Sequence, residues 1–165
     1  MTQQAKFSDG DLVVYPTHGV GRLEKIENQV ISGQEIQVLV INFQKSRMTL
    51  RLPLTKAKHA GLRALSTSAE IEEALGFLKR KIKATKGIWA RRAQEYELKI
   101  NSGNLSSLAE VIRELYRPQD QPEQSYSERQ IYQTALARLA TEIAAVETIA
   151  EEQAKHKVED ILKVA

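Results

Sequence analysis

Cysteine is absent from the chain, which removes disulfides, thiolate catalysis, iron–sulfur clusters and cysteine-type zinc sites together. Long hydrophobic runs are absent as well: nothing approaches the roughly 18 apolar residues that a membrane helix needs. Aromatic residues make up only 5% of the chain and include a single tryptophan. The segment Met1 to Asp11 is polar and has no apolar stretch, so no secretory signal is expected. Intrinsic disorder does not fit either, since 42% of the 165 residues are hydrophobic and the net charge is only +3. These features predict a soluble, cytoplasmic protein built as one medium domain or two small ones.

Catalytic constellations are equally scarce. His18, His59 and His156 have no ligand-like spacing, so no metal is expected. Gly19-Val20-Gly21 lacks the third glycine of a dinucleotide fingerprint and the Lys-Ser/Thr of a phosphate loop. Glu72-Glu73 and Glu151-Glu152 are adjacent pairs that point to different helix faces and do not make a converging acid–base dyad. The expectation is a protein that is not an enzyme and carries no cofactor.

What is present divides into two grammars. Leu12 to Tyr15 reads as a short strand stopped by Pro16, with Gly19 and Gly21 bracketing the next turn. Val20 to Ile26 alternates loosely, and Ser32-Gly33 separates Val30-Ile31 from the run Ile36 to Phe43. That run is β-branched and nearly continuous, as a central strand would be. Met48, Leu50 and Leu52 alternate with polar residues before Pro53 ends the strand. Five short strands in this span predict a small, strongly bent sheet or barrel.

After Leu65 the period becomes helical. Thr67 and Glu70 have capping-box spacing ahead of Ala69, Ile71, Leu75, Leu78 and Ile82. Gly87 interrupts, the pattern resumes from Ile88 to Ile100, and Ser102-Gly103 stops it. Further helices are predicted over Leu105–Leu115, from a cap at Ser125 or Ser127 through Val146, and over about Glu152–Val164. The fold class is α+β in two modules: a β module over 1–64 and an all-α bundle of about five helices over 65–165.

Charge is unevenly spread. Positions 79–92 hold Lys79, Arg80, Lys81, Lys83, Lys86, Arg91 and Arg92 and no acid. Such a cluster is available to a polyanion, although a solvated helix face accounts for many charge runs. The lone tryptophan, Trp89, lies inside it at the start of a helix. Trp89, Ala93, Tyr96 and Ile100 also form a core-like stripe. An aromatic flanked by cations at a helix start suits nucleic acid, the cations meeting phosphates and the ring a base step. Both readings hold if the ring is rooted in the bundle and its edge protrudes.

The block Gly10-Asp11-Leu12-Val13-Val14-Tyr15-Pro16-Thr17-His18-Gly19-Val20-Gly21, then Ile26-Glu27, Leu50-Arg51-Leu52-Pro53, Trp89-Ala90-Arg91-Arg92 and Leu108 to Leu115 closely resemble the CarD/CdnL family of bacterial transcription regulators. The first block also resembles the RNA polymerase-interacting domain of transcription-repair coupling factor. The resemblance implies a Tudor-like β module that docks on the RNA polymerase β subunit. It further implies a helical module that reaches promoter DNA at the upstream edge of the bubble and prolongs the open complex.

Carried over, Trp89 is the wedge, and Arg91 and Arg92 are phosphate contacts, with Lys83 and Lys86 on the same DNA side. Arg51, Pro53 and Ile31 fall on polymerase contacts. Gln29 stands where some members have a second polymerase-binding arginine, and Gln94 where some have a DNA-contacting lysine. The expected partners are polymerase and promoter DNA, with no membrane and no small-molecule substrate, for a monomer located with polymerase on the nucleoid. An RNA- or ribosome-associated adaptor with a small KOW-type barrel is the alternative, since Gly-Asp-Leu-Val-Val before a glycine turn suits that class too.

Overall fold

A computed structural model of the chain describes residues 7–80, 87–118 and 124–164. The chain divides into two compact units, Met1–Leu65 and Ser66–Ala165.

The first unit is a five-stranded antiparallel sheet. Strand β1 (Leu12–Tyr15) ends at Pro16, which has no N–H to continue a ladder. The turn closes with His18 N–H donating to the Tyr15 carbonyl at 3.1 Å. Strand β2 (Gly19–Ile31) then pairs back on β1, with Val13 opposite Gly21. Ser32 and Gly33 both take left-handed φ values, 50° and 79°, as a tight two-residue hairpin turn requires. Strand β3 (Gln34–Phe43) returns along β2, and strand β4 (Met48–Pro53) along β3. A single helical turn, α1 (Leu54–Ala57), precedes the short strand β5 (Arg63–Ala64), which pairs with β1. The strand order is β4-β3-β2-β1-β5.

The β2–β3 register shifts at Glu24, a bulge that raises local twist and bends the sheet. The core on its inner side contains Val13, Leu23, Leu39, Ile41, Phe43 and Leu52. Val38 to Ile41 are buried in succession, as a strand flanked on both sides should be. Past Glu27 and Val38 the hairpin runs on alone. Residues 28–31 and 34–37 pair only with each other among the described strands, forming a two-stranded arm.

The second unit is helical. Thr67 caps α2 (Ser68–Leu78): its hydroxyl accepts from the Glu70 N–H at 3.2 Å, while the Glu70 carboxylate accepts from the Thr67 N–H at 3.1 Å. Helix α3 (Trp89–Asn101) stops at Ser102 and Gly103, the latter at φ 74°. Asn104 caps α4 (Leu105–Leu115), and Ser125 caps α5 (Tyr126–Glu147). Thr148, left-handed at φ 56°, ends α5 before α6 (Glu151–Val164).

Helix α4 packs on α2, α3 and α5, and α5 also carries α6. The shared core includes Ile71, Leu78, Ile112, Leu115, Leu139 and Leu162. Among the described residues one acid is enclosed: Glu142 on α5 is 2% exposed, and its carboxylate accepts from the Ser66 N–H at 2.9 Å. A buried carboxylate requires such partners, since taking its charge out of water without them costs several kcal/mol by order of magnitude.

The two-module α+β architecture follows the sequence reading, with differences in detail. Val30-Ile31 belongs to one continuous β2, and the fifth strand is Arg63–Ala64. Two residues carry no periodicity, so only the pairing with β1 defines that strand. Helix α2 ends at Leu78, and Ile82 lies outside the described residues.

Candidate nucleic-acid interface and docking edge

The start of α3 is built by an unusual entry. Gly87 has φ 150°, a backbone that L side chains rarely adopt, and Ile88 takes the N-cap position in an extended conformation. Ile88 offers no side-chain cap, and no acid sits in the first turn. The Arg91 and Arg92 N–H groups both donate to the Ile88 carbonyl at 3.1 Å, and the positive end of the helix dipole meets no acid within the first turn. Ile88 itself is 77% exposed.

Trp89 is the first residue of α3. Its ring is half-buried and packs on the helical core, tilted against Tyr96 at 6.2 Å between centroids. The indole N–H donates to the Ser127 hydroxyl at 3.3 Å, which links the N-terminal turns of α3 and α5. Tyr126, next to Ser127, is 78% exposed. The indole is thus rooted in the bundle and bordered by exposed apolar surface.

The two arginines that follow have different surroundings. Arg91 is exposed. Arg92 is half-buried: its guanidinium carbon lies 5.6 Å from the Trp89 ring centre and 5.7 Å from that of Tyr96. Its Nη2 donates to the Tyr96 hydroxyl at 2.9 Å. Burial pushes the Tyr96 hydroxyl above the usual phenol range, with the Glu114 carboxylate acting in the same direction and Arg92 against it.

Elsewhere in the basic segment, Lys79 is the exposed C-cap of α2, and Arg80 lies over the Phe77 ring at 5.2 Å. The Arg80 carbonyl accepts from Arg113 Nε at 2.7 Å. Lys81, Lys83 and Lys86 lie outside the described residues. Gln94 is exposed on α3.

On the sheet, Arg51 sits on edge strand β4 and donates to Glu27 Oε2 at 2.6 Å. Lys25 meets the other oxygen of the same carboxylate at 2.9 Å, and the Gln29 amide donates to Oε2 at 3.2 Å. The Lys25 hydrogen bond is foremost in holding the Glu27 carboxyl below the ordinary range, with Gln29 and Arg51 contributing. Arg51 and Gln29 are thereby brought to one carboxylate. Pro53 closes β4 opposite Val38, at the root of the arm. Ile31 is at the arm tip, 50% exposed beside Val30 at 71%. The candidate docking residues form an ionic edge and an apolar tip.

The Tyr-Pro-Thr-His-Gly segment has a packing role. The His18 ring stacks on Tyr15 at 5.6 Å and lies 5.4 Å from Phe43. Gly21 is required by close approach: a Cβ there would lie 2.7 Å from Phe43 Cε1 and 2.8 Å from Ile41 Cγ2. Among the described residues no cluster of His, Asp or Glu is arranged to hold a metal ion, and no helix is long and apolar enough to cross a membrane.

Sequence reasoning missed Ile88, Ser127 and Glu27 as parts of these surfaces. Ser127 is reached only through tertiary packing. The inward turn of Arg92 had a signal, since Trp89, Arg92 and Tyr96 fall at i, i+3 and i+7 on one helix face.

Two family models match the chain. Residues 73–159 match the model described as CarD, C-terminal domain, and residues 7–66 match the CarD-like/TRCF RID domain. A protein of Bacillus subtilis (strain 168), YdeB, whose name describes it provisionally as a transcription factor, is 28% identical over 149 residues. That alignment covers 90% of this chain and 97% of the relative.

Proposed function

The chain belongs to the CarD family of transcription regulators, and on that premise we propose that it docks on the β subunit of RNA polymerase and stabilises the promoter open complex. The N-terminal unit, 1–64 in the sequence reading, is the docking module, through Arg51, Pro53, Gln29 and the arm residue Ile31. The helical unit is the DNA-contacting module. Trp89 wedges at the upstream edge of the bubble while Arg91, Lys83 and Lys86 meet phosphates.

The observation that carries this reading is the setting of Trp89. The ring is anchored in the bundle, exposed Ile88 precedes it, and the first turn of α3 has cations and no acid. Apolar side chains of this kind enter partly unstacked base steps, and neighbouring cations hold the backbone. If roughly three to five phosphates are engaged, binding is sequence-independent and falls with salt at a slope of about −0.9 per phosphate. Phosphate contacts carry no sequence information, so promoter selection comes from docking, which raises local DNA concentration. A preference of about 1.4 kcal/mol for the melted state then shifts the open-to-closed ratio tenfold. Small contacts suffice.

The test uses purified polymerase and a promoter fragment. Trp89→Ala is expected to co-purify with polymerase yet shorten open-complex lifetime, whereas Arg51→Glu loses co-purification. Unchanged lifetime with Trp89→Ala removes the wedge, and retained binding with Arg51→Glu removes the docking edge. Co-purification with ribosomes in place of polymerase would return the chain to the KOW-type alternative.

A further inference from the structure

We propose that Arg92 and Tyr96 are positioning residues for Trp89, fixing the indole through stacking and a buried hydroxyl, and that Arg92 is not a phosphate contact equivalent to Arg91. This rests on the reading of Trp89 as the DNA wedge and adds how the wedge is held.

The geometry separates the neighbouring arginines. Successive helical residues are about 100° apart, so when Arg91 faces outward Arg92 turns toward the stripe of Trp89 and Tyr96. Its guanidinium lies at nearly equal distances from the two rings, 5.6 and 5.7 Å, and bonds the Tyr96 hydroxyl at 2.9 Å. Tyr96 is 2% exposed, and the Glu114 carboxylate on α4 adds to burial in raising its hydroxyl above the usual phenol range. A chain of contacts therefore runs from the buried Tyr96 through Arg92 to the indole.

Two further observations set Arg92 apart from a free cation. Among the described residues its Nε is buried with no hydrogen-bond partner, whereas a guanidinium serving only phosphate keeps its donors in water. The backbone at Gly87 also passes over its stem, since a Cβ there would come within 3.7 Å of Arg92 Cγ. Arg92 thus gives up solvent to lie against aromatic faces, which its planar group suits and an ammonium does not. Ser127 holds the indole N–H from α5. A ring fixed from two helices enters a base step without first losing rotational freedom.

Because Trp89 is the only tryptophan, fluorescence of the full chain reports this ring alone. The experiment compares wild type, Trp89→Ala, Tyr96→Phe, Arg92→Lys and Arg91→Gln, measuring emission, acrylamide quenching and affinity for a synthetic forked duplex across salt concentrations. Tyr96→Phe changes no charge and removes a hydroxyl that does not reach solvent. It is expected to shift emission and to weaken fork binding by about 3–10-fold with the salt slope unchanged. Arg92→Lys keeps its charge and is expected to do the same. Arg91→Gln should leave emission alone and flatten the slope by about 0.9.

Wild-type emission and quenching in both Tyr96→Phe and Arg92→Lys would overturn the proposal. So would an emission change with no loss of fork affinity. Should Tyr96→Phe lower the melting temperature, Arg92→Lys decides alone, because its site is half-buried and its stem is retained. If Trp89→Ala itself binds the fork normally, the wedge reading fails and the positioning role for DNA fails with it. If Trp89→Ala binds weakly while the two positioning variants behave as wild type, only the positioning proposal fails.

Discussion

Trp89 and Ser127, 38 positions apart, meet through a 3.3 Å hydrogen bond from the indole N–H to the hydroxyl. The bond joins the first turns of two helices at the ring for which a DNA contact is proposed. Ser127→Ala leaves the indole nitrogen to water and is expected to cost about 0.5–1.5 kcal/mol of stability. Thermal unfolding measures the loss, and red-shifted emission from Trp89 accompanies it.

At Ile88, stability and binding are expected to move in opposite directions. Ile88 occupies the N-cap of α3 without capping it and is 77% exposed. Serine accepts from the first-turn N–H groups, so Ile88→Ser should stabilise the helical unit by about 1 kcal/mol. The same change removes apolar surface beside Trp89, the proposed wedge, and fork-DNA affinity should fall. A variant that melts higher and binds as wild type would show that Ile88 contributes nothing at the DNA.

Glu27 provides a pH signature for the sheet. Its carboxyl titrates below the ordinary glutamate value of about 4.3, chiefly through Lys25, so folding favours the charged form. The stability this contributes is fully present above that value and is lost as pH falls through the lower, folded one. NMR titration should place the Glu27 midpoint below that of the chain's exposed, unpaired glutamates. Glu27→Gln should flatten the acid limb of the first unit's stability curve.

Gly21→Ala introduces a Cβ at 2.7 Å from the Phe43 ring, a contact that side chains do not sustain without displacement. The expected cost is about 1–3 kcal/mol, read from denaturant unfolding of the β unit. The unfolding of the helical unit should be unaffected.

Glu142→Ala removes the carboxylate that accepts from the Ser66 N–H inside the bundle. A loss of about 1–3 kcal/mol is expected in thermal unfolding of the helical unit. Glu142→Gln, which keeps an acceptor at that position, should lose less.

Local signals were the most legible in sequence. The Thr67–Glu70 capping box and the Ser125 cap appear at the positions their residue types dictate. The continuous apolar run through Ile41 reads as a central strand for the same reason it is one: both flanks are paired. The two-residue β5 was illegible because its only warrant is pairing with β1.

At the candidate site, Trp89 was visible as a lone aromatic among cations. The cations themselves were not separable by counting. Arg80 lies over Phe77, Arg92 lies against Trp89 and Tyr96, and Arg91 is exposed. Composition registers charge, whereas helix phase and tertiary neighbours determine which charge reaches solvent. Glu27 illustrates the same limit on the sheet, where three side chains from two strands find one carboxylate.

The hairpin arm has a reach that matters for any encounter. Four residue pairs beyond the three-stranded body extend about 14 Å at strand rise. Exposed charges are felt over only about 8 Å at physiological salt. The tip, with Val30 and Ile31 exposed and the Glu35 carboxylate paired across from Val30, therefore lies beyond the screened reach of the ions around Glu27.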